Sequence, residues 1–187
     1  MYWETLNFTK KPIKIDYGHY KCRYVSDTTT YPDFPKGHIF IGVDPGINYG
    51  ITIINELETH VIWGSLPKMN PFHGLEAIEA LDNVWADGRF YPISSNIEVV
   101  HAYVEGPAFG AQFGQTKLEQ VRFGFVVGLH DITDDIKYVA PSHARKVAFG
   151  DGKKAGKNIW ININENGADS IGVALACLFD TPLPIDK

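Results

Sequence analysis

The chain has 187 residues, enough for one well-buried core or at most two small ones. Its 44% hydrophobic and 13% aromatic content excludes a disordered chain, and no apolar run approaches the ~20 residues that span a bilayer, so no membrane partner is expected. A formal net charge of −5 argues against a uniformly basic nucleic-acid binder and confines any such surface to local patches. The start, MYWETLNFTKKPIKID, lacks the charged and apolar regions of a signal peptide. Cys22 and Cys177 are too few and too far apart for a disulfide framework, so reduced thiols in a cytoplasmic setting are expected.

Residues 1–37 read as an N-terminal extension: aromatics mixed with Lys10, Lys11, Lys14, Lys21 and Arg23, closed by the turn-rich TTTYPDFPKG. The main domain then occupies 38–187. Its first three strands are expected at His38 to Asp44, Tyr49 to Asn55 and Thr59 to Gly64, joined by tight turns. Leu75, Ile78, Leu81 and Trp85 recur at helical spacing. A strong apolar strand follows at Ile97 to Glu105, then a glycine-containing helix near Gln115 to His130 and a strand at Lys137 to Ala140. A short helix, Ser142 to Phe149, has Ser142 as its expected N-cap, and a last helix runs from about Asn166 to Phe179. Three strands in a meander, continued by alternating helix and strand, predict an α/β fold: a mixed five-stranded sheet flanked by helices.

Three acids fall at the ends of these elements. Asp44 closes the first strand before Pro45-Gly46, Glu105 closes the fourth, and Asp169 lies in the opening turn of the last helix. Each has a local explanation, as turn-former, exposed strand end or partner of the helix dipole. Together they form a set of hard oxygen ligands with no His or Cys cluster, which suits Mg²⁺ or Mn²⁺ rather than zinc. Two such ions activate a water and stabilise the leaving oxygen of a phosphodiester.

The motifs GVDPGINYG, AYVEGPAFG and NGADSIGVALA, in this order, resemble the RuvC-like Holliday-junction resolvases, particularly the short phage forms; the resemblance spans roughly His38 to Asp180. It implies an RNase H-like fold, a homodimer, two Mg²⁺ (or Mn²⁺) ions per site and paired nicking of four-way junction DNA, with no nucleotide cofactor. It implies the cytoplasm of a bacterium or of a phage-infected cell. By motif, Asp44, Glu105 and Asp169 match the catalytic, metal-binding acids. The family often carries Asp or His three residues before the last acid, where this chain has Asn166. Asn166 can offer its carbonyl oxygen to a metal, Glu165 can serve instead, or the position is an inactivating replacement.

VAPSHARKVAFGDGKKAGK also resembles the family: Arg145 matches a basic residue after the proline, and Lys157 approximates a lysine near the scissile phosphate. With Lys146, Lys153 and Lys154 they form a basic cluster fitted to phosphate, though a solvated charged loop would read the same way. Phe109 and Phe113, in GPAFGAQFGQ, are candidates to stack on junction bases, or else to anchor their loop. Gly124 and Gly128 lie on the helix that in the family contributes to the dimer. GDGKKAGKN fails as a phosphate-binding P-loop, since its glycine spacing is wrong and Asn158 replaces the Ser or Thr. An actin-like or sugar-kinase ATPase needs a far longer chain. Two alternatives stay open: a junction- or nucleic-acid-binding relative with impaired chemistry, and a different RNase H-like nuclease.

Overall fold

The first apolar strand is buried on both faces, which is what places a sheet at the centre of this chain. In the computed structural model, residues 2–17, 20–28, 34–86, 99–107, 115–153 and 159–182 are described. The elements are α1 (Tyr2–Thr5), β1 (Ile13–Tyr17), β2 (Tyr20–Asp27), β3 (His38–Asp44), β4 (Asn48–Ile54), β5 (Thr59–Ser65), α2 (Pro71–Ala86), β6 (Val99–Glu105), α3 (Gln115–His130), β7 (Ile136–Val139), α4 (Pro141–Phe149) and α5 (Glu165–Asp180). The strands form one sheet in the order β1-β2-β5-β4-β3-β6-β7. β3, β4 and β5 are an antiparallel meander, and β6 and β7 run parallel to β3. This is the expected mixed α/β arrangement, a sheet flanked by helices.

The sheet has seven strands rather than five, because residues from the N-terminal segment add β1 and β2 beyond β5. Lys14 and Asp16 alternate with Ile13 and Ile15, and Lys21 and Arg23 with Cys22 and Tyr24, a period-two pattern of a half-buried ribbon. Ile15, Cys22 and Tyr24 enter the core, while Lys14, Lys21 and Arg23 stay exposed. The segment before β1 is tied down as well: Leu6 and Phe8 are buried, Trp160 Nε1 donates to the Leu6 carbonyl at 3.0 Å, and Asn162 Nδ2 donates to that of Phe8 at 2.8 Å.

Apolar side chains cover both faces. One cluster packs β4 and β5 residues Ile51 and Ile62 against Ile78 and Leu81 of α2 and Val121, Phe125 and Leu129 of α3. The other packs Phe40, Ile54, Val61 and Trp63 against Ile171, Ala174, Leu175 and Leu178 of α5 and Ala148 and Phe149 of α4. Two helix starts differ from expectation. Ser142 is not the cap of α4; Ala140 stands there with no side-chain hydrogen bond and Pro141 opens the helix, its missing N–H costing nothing in the first turn. α5 begins at Glu165, with Asn164 as N-cap accepting from the Gly167 amide at 2.9 Å, so Asp169 lies one turn in.

Candidate active site at the carboxyl ends of two parallel strands

Parallel neighbours end at the same edge of a sheet. β3 and β6 pair in parallel through Val43 and Val104, so the next residues, Asp44 and Glu105, emerge side by side. Both are partly buried. Pro45 follows Asp44 and the chain returns as β4, with Asp44 paired to Gly50. Gly106 and Pro107 end β6 in the same way, the Gly106 amide bonding to the Val139 carbonyl of β7 at 2.8 Å.

The third acid comes from above. Besides its side-chain packing, α5 meets bare backbone at two points: a Cβ at Gly50 would lie 2.0 Å from the Asn166 carbonyl oxygen, and one at Gly42 would lie 2.2 Å from the Ala174 amide nitrogen. Between these points Ser170 Oγ donates to the Gly167 carbonyl, which leaves Thr52 Oγ1 of β4 to donate to Ser170 at 2.8 Å. This seat presents Asp169, 9% exposed, to the edge where Asp44 and Glu105 end. The glycines that read in sequence as breaks in a strand thus serve a close helix–sheet approach.

Electrostatics show that the three acids sense one another. Burial, followed by repulsion from Glu105 and Asp169, holds the Asp44 carboxyl well above the usual carboxylate range. Burial, then repulsion from Asp169, pushes Glu105 up to about 7. Arg145 and Arg122 oppose both shifts without cancelling them. Arg145, on α4, donates through Nη2 to Asp169 Oδ2 at 3.2 Å and gives that acid a counter-charge. Its Nε is buried with no hydrogen-bond partner among the described residues.

Arg122 went unnoticed in the sequence. It is 3% exposed, pairs with Glu119 on α3, and donates from Nε to the Glu105 backbone carbonyl at 2.7 Å. An arginine between Val121 and Phe125, both fully buried, is the signal that would have marked it, because such a charge needs a partner.

The other candidates are less concentrated. Asn166 is partly buried, over the residue that pairs with Asp44; Glu165 is exposed at the start of α5. Lys146 and Lys153 are exposed. Phe109, Phe113, Lys154 and Lys157 lie outside the described residues.

As ligands, the three carboxyls fit a hard divalent cation by donor type and charge, and two of them, Asp44 and Glu105, resist ionising for want of positive charge. Among the described residues no three acidic, His or Cys groups are drawn in around a single point. The arrangement is therefore a cluster of coupled carboxyls, one of them neutralised by Arg145.

No protein-family model matches the chain, and no curated protein matches it. Among solved structures it is similar to RuvC of Thermus thermophilus, at 17% identity over 74% of this chain and 92% of that one, with a TM-score of 0.48. It is similar also to the same protein in complex with a Holliday junction substrate, at 17% identity over 74% and 91%, with a TM-score of 0.47.

Proposed function

We propose that the protein is a metal-dependent endonuclease that resolves four-way DNA junctions. The observation that carries the chemistry is the meeting of Asp44, Glu105 and Asp169 at one sheet edge, with Asp44 and Glu105 held above the normal carboxylate range. Satisfied structural acids have no reason to be gathered in this way. The choice of junction DNA rests on the three sequence motifs that resemble the RuvC-like resolvases.

In this reading Asp44, Glu105 and Asp169 would hold two Mg²⁺ or Mn²⁺ ions, with Asn166 or Glu165 as a fourth ligand. The bound cation supplies activation of a water and stabilisation of the leaving oxygen. The chain's own contributions are positional and protonic. β3 and β6 fix two acids on rigid strand ends, and α5 fixes the third. Near neutral pH the Glu105 carboxyl still retains part of its proton, so loading the site releases protons and is favoured as pH rises through about 7. Arg145 steadies Asp169 as its counter-charge. Lys157, Lys153, Lys154 and Lys146 contact phosphates, Phe109 and Phe113 stack at the junction, and residues 38–187 are the catalytic unit. Two subunits present two sites, cutting strands of like polarity to leave 5′-phosphate and 3′-hydroxyl ends.

The test is an end-labelled four-way junction and a matched linear duplex, each with Mg²⁺ or with chelator. Symmetric nicks in the junction alone, and only with metal, are expected. Neither binding nor cutting would sink the reading. Asn166 favours one second reading, a relative that binds junctions with impaired chemistry; binding without cutting, and cutting gained by Asn166→Asp, would establish it.

A further inference from the structure

The extra strands β1 and β2 do more than widen the sheet. Beside them lies a cavity of about 390 Å³ whose wall includes Lys14, Lys21 and Arg23, with Ser65 and Asn164 at its margin and Trp63 beneath. The three basic side chains are exposed and make no ion pair among the described residues; Asp16 is the one acid in the wall. Three cations against one acid make this groove positive on a chain whose net charge is −5.

Its position follows from strand register. Asp44 pairs with Gly50, Gly50 with Trp63, Trp63 with Arg23, and Arg23 with Lys14. These five residues form one transverse row, and paired residues face the same side of a sheet. That side is the α5 side, since Gly50 lies under Asn166 and Trp63 touches Gly167. At about 4.8 Å per strand, Arg23 stands about 14 Å from Asp44 and Lys14 about 19 Å. The nearer distance is the rise of about four nucleotides on one strand of a duplex. Asn164, the N-cap of α5, borders both the groove and the helix that carries Asp169.

We propose that this groove binds the sugar-phosphate backbone of the nucleic acid whose scissile bond lies at Asp44, a few nucleotides from the cut. The inference rests on the nuclease reading for the identity of the ligand, and it gives the N-terminal segment a task that none of the motifs assigns. Lys14 and Arg23 sit side by side on two adjacent strands, with Lys21 two residues along from Arg23. Such an open row suits a polyanion running across the strands. Trp63, only 7% exposed, is a floor for the groove rather than a stacking platform, so binding is indifferent to base sequence.

The experiment measures binding of a fluorescent four-way junction in chelator, across a range of salt, for the full chain and for the K14A/K21A/R23A variant. Each lost phosphate contact lowers the slope of log affinity against log salt by about 0.9. A fall of affinity by about tenfold or more and a slope shallower by two to three are expected, with the melting temperature unchanged. A K14R/K21R/R23K variant keeps the slope. The single variants Lys21→Ala and Arg23→Ala each lower it by about one, which covers any folding failure of the triple change. Unchanged affinity and slope in all the alanine variants would overturn the groove, whether or not the protein cuts. Specific competition by inorganic phosphate at constant ionic strength would overturn it too, in favour of a free-anion site. Loss of binding in the triple variant of a protein that never cuts would uphold the groove while the nuclease reading falls.

Discussion

The same strands carry polar clusters at both ends, built on opposite plans. At the carboxyl end Asp44 and Glu105 meet Asp169, three like charges with Arg145 and Arg122 too few to balance them. At the amino end His38, the first residue of β3, reaches His101 of β6 at 3.0 Å, and His101 reaches Asp135 just before β7. There Nδ1 of His101 is hydrogen-bonded to Asp135 and its Nε2 to Nδ1 of His38, and Lys137 adds a cation at 3.4 Å from Asp135. Each acceptor there has a donor. Hydrogen bonding from His101 accordingly holds the Asp135 carboxyl below the usual range, whereas burial and repulsion lift Asp44 and Glu105 above it. The contrast separates a polar cluster whose donors and acceptors balance from one whose acids outnumber its cations.

The largest effect that would sharpen this contrast is on cutting. Asp44→Asn should lower junction cleavage roughly a thousandfold or more while leaving junction binding in place, as read on labelled DNA with Mg²⁺. Substituting Asp135 with Asn should leave cleavage within a few-fold; equal losses from both would erase the distinction. Next comes the helix seat. Gly50→Ala puts a methyl group 2.0 Å from the Asn166 carbonyl, so it should cost about 2 to 4 kcal/mol in thermal melting and reduce cutting by displacing Asp169.

Smaller effects concern pH, where the two ends should behave oppositely. Glu105 rises on folding from 4.5 to about 7, so its contribution is fully present below 4.5 and is lost as pH rises through 7. In chelator, Glu105→Gln should therefore match the parent near pH 4 and exceed its stability by about 2 to 3 kcal/mol above pH 7.5, measured by urea unfolding. Asp135 is lowered on folding, so its contribution is present above its ordinary value of 3.8 and is lost as pH falls through the lower, folded one. Asp135→Asn should cost about 1 kcal/mol at neutral pH, with the difference fading only in strong acid.

Much of the sheet was legible because β3 to β7 obey local rules: apolar runs of strand length bounded by Pro and Gly, with Asp44 and Glu105 at their ends. The two outer strands were missed although IKID and YKCRYV alternate, because lysines mixed with aromatics read as an appendage until β5 supplies a partner edge. Asp169 was found by motif, but what places it was not. Gly42 and Gly50 look like turn or bulge residues in one dimension, and only the arrival of α5 shows them as a bearing surface. Arg122 and the pairing of Arg145 with Asp169 depend on contacts across 17 and 24 residues of chain, beyond the reach of any local pattern.

That bearing surface has a consequence for motion. A helix resting only on side chains can tilt as they change rotamer, but α5 also meets the bare backbone of β3 and β4 at two points, with the Thr52–Ser170 hydrogen bond as a pin between the two glycines. At those points it has no soft layer to rock upon. The first two turns of α5 and the middle of β3 and β4 should consequently exchange their amide hydrogens at one common slow rate, that of the whole molecule opening. The third acid is then delivered by a rigid body, and any adjustment within the acid cluster is left to the Asp169 side chain and its arginine.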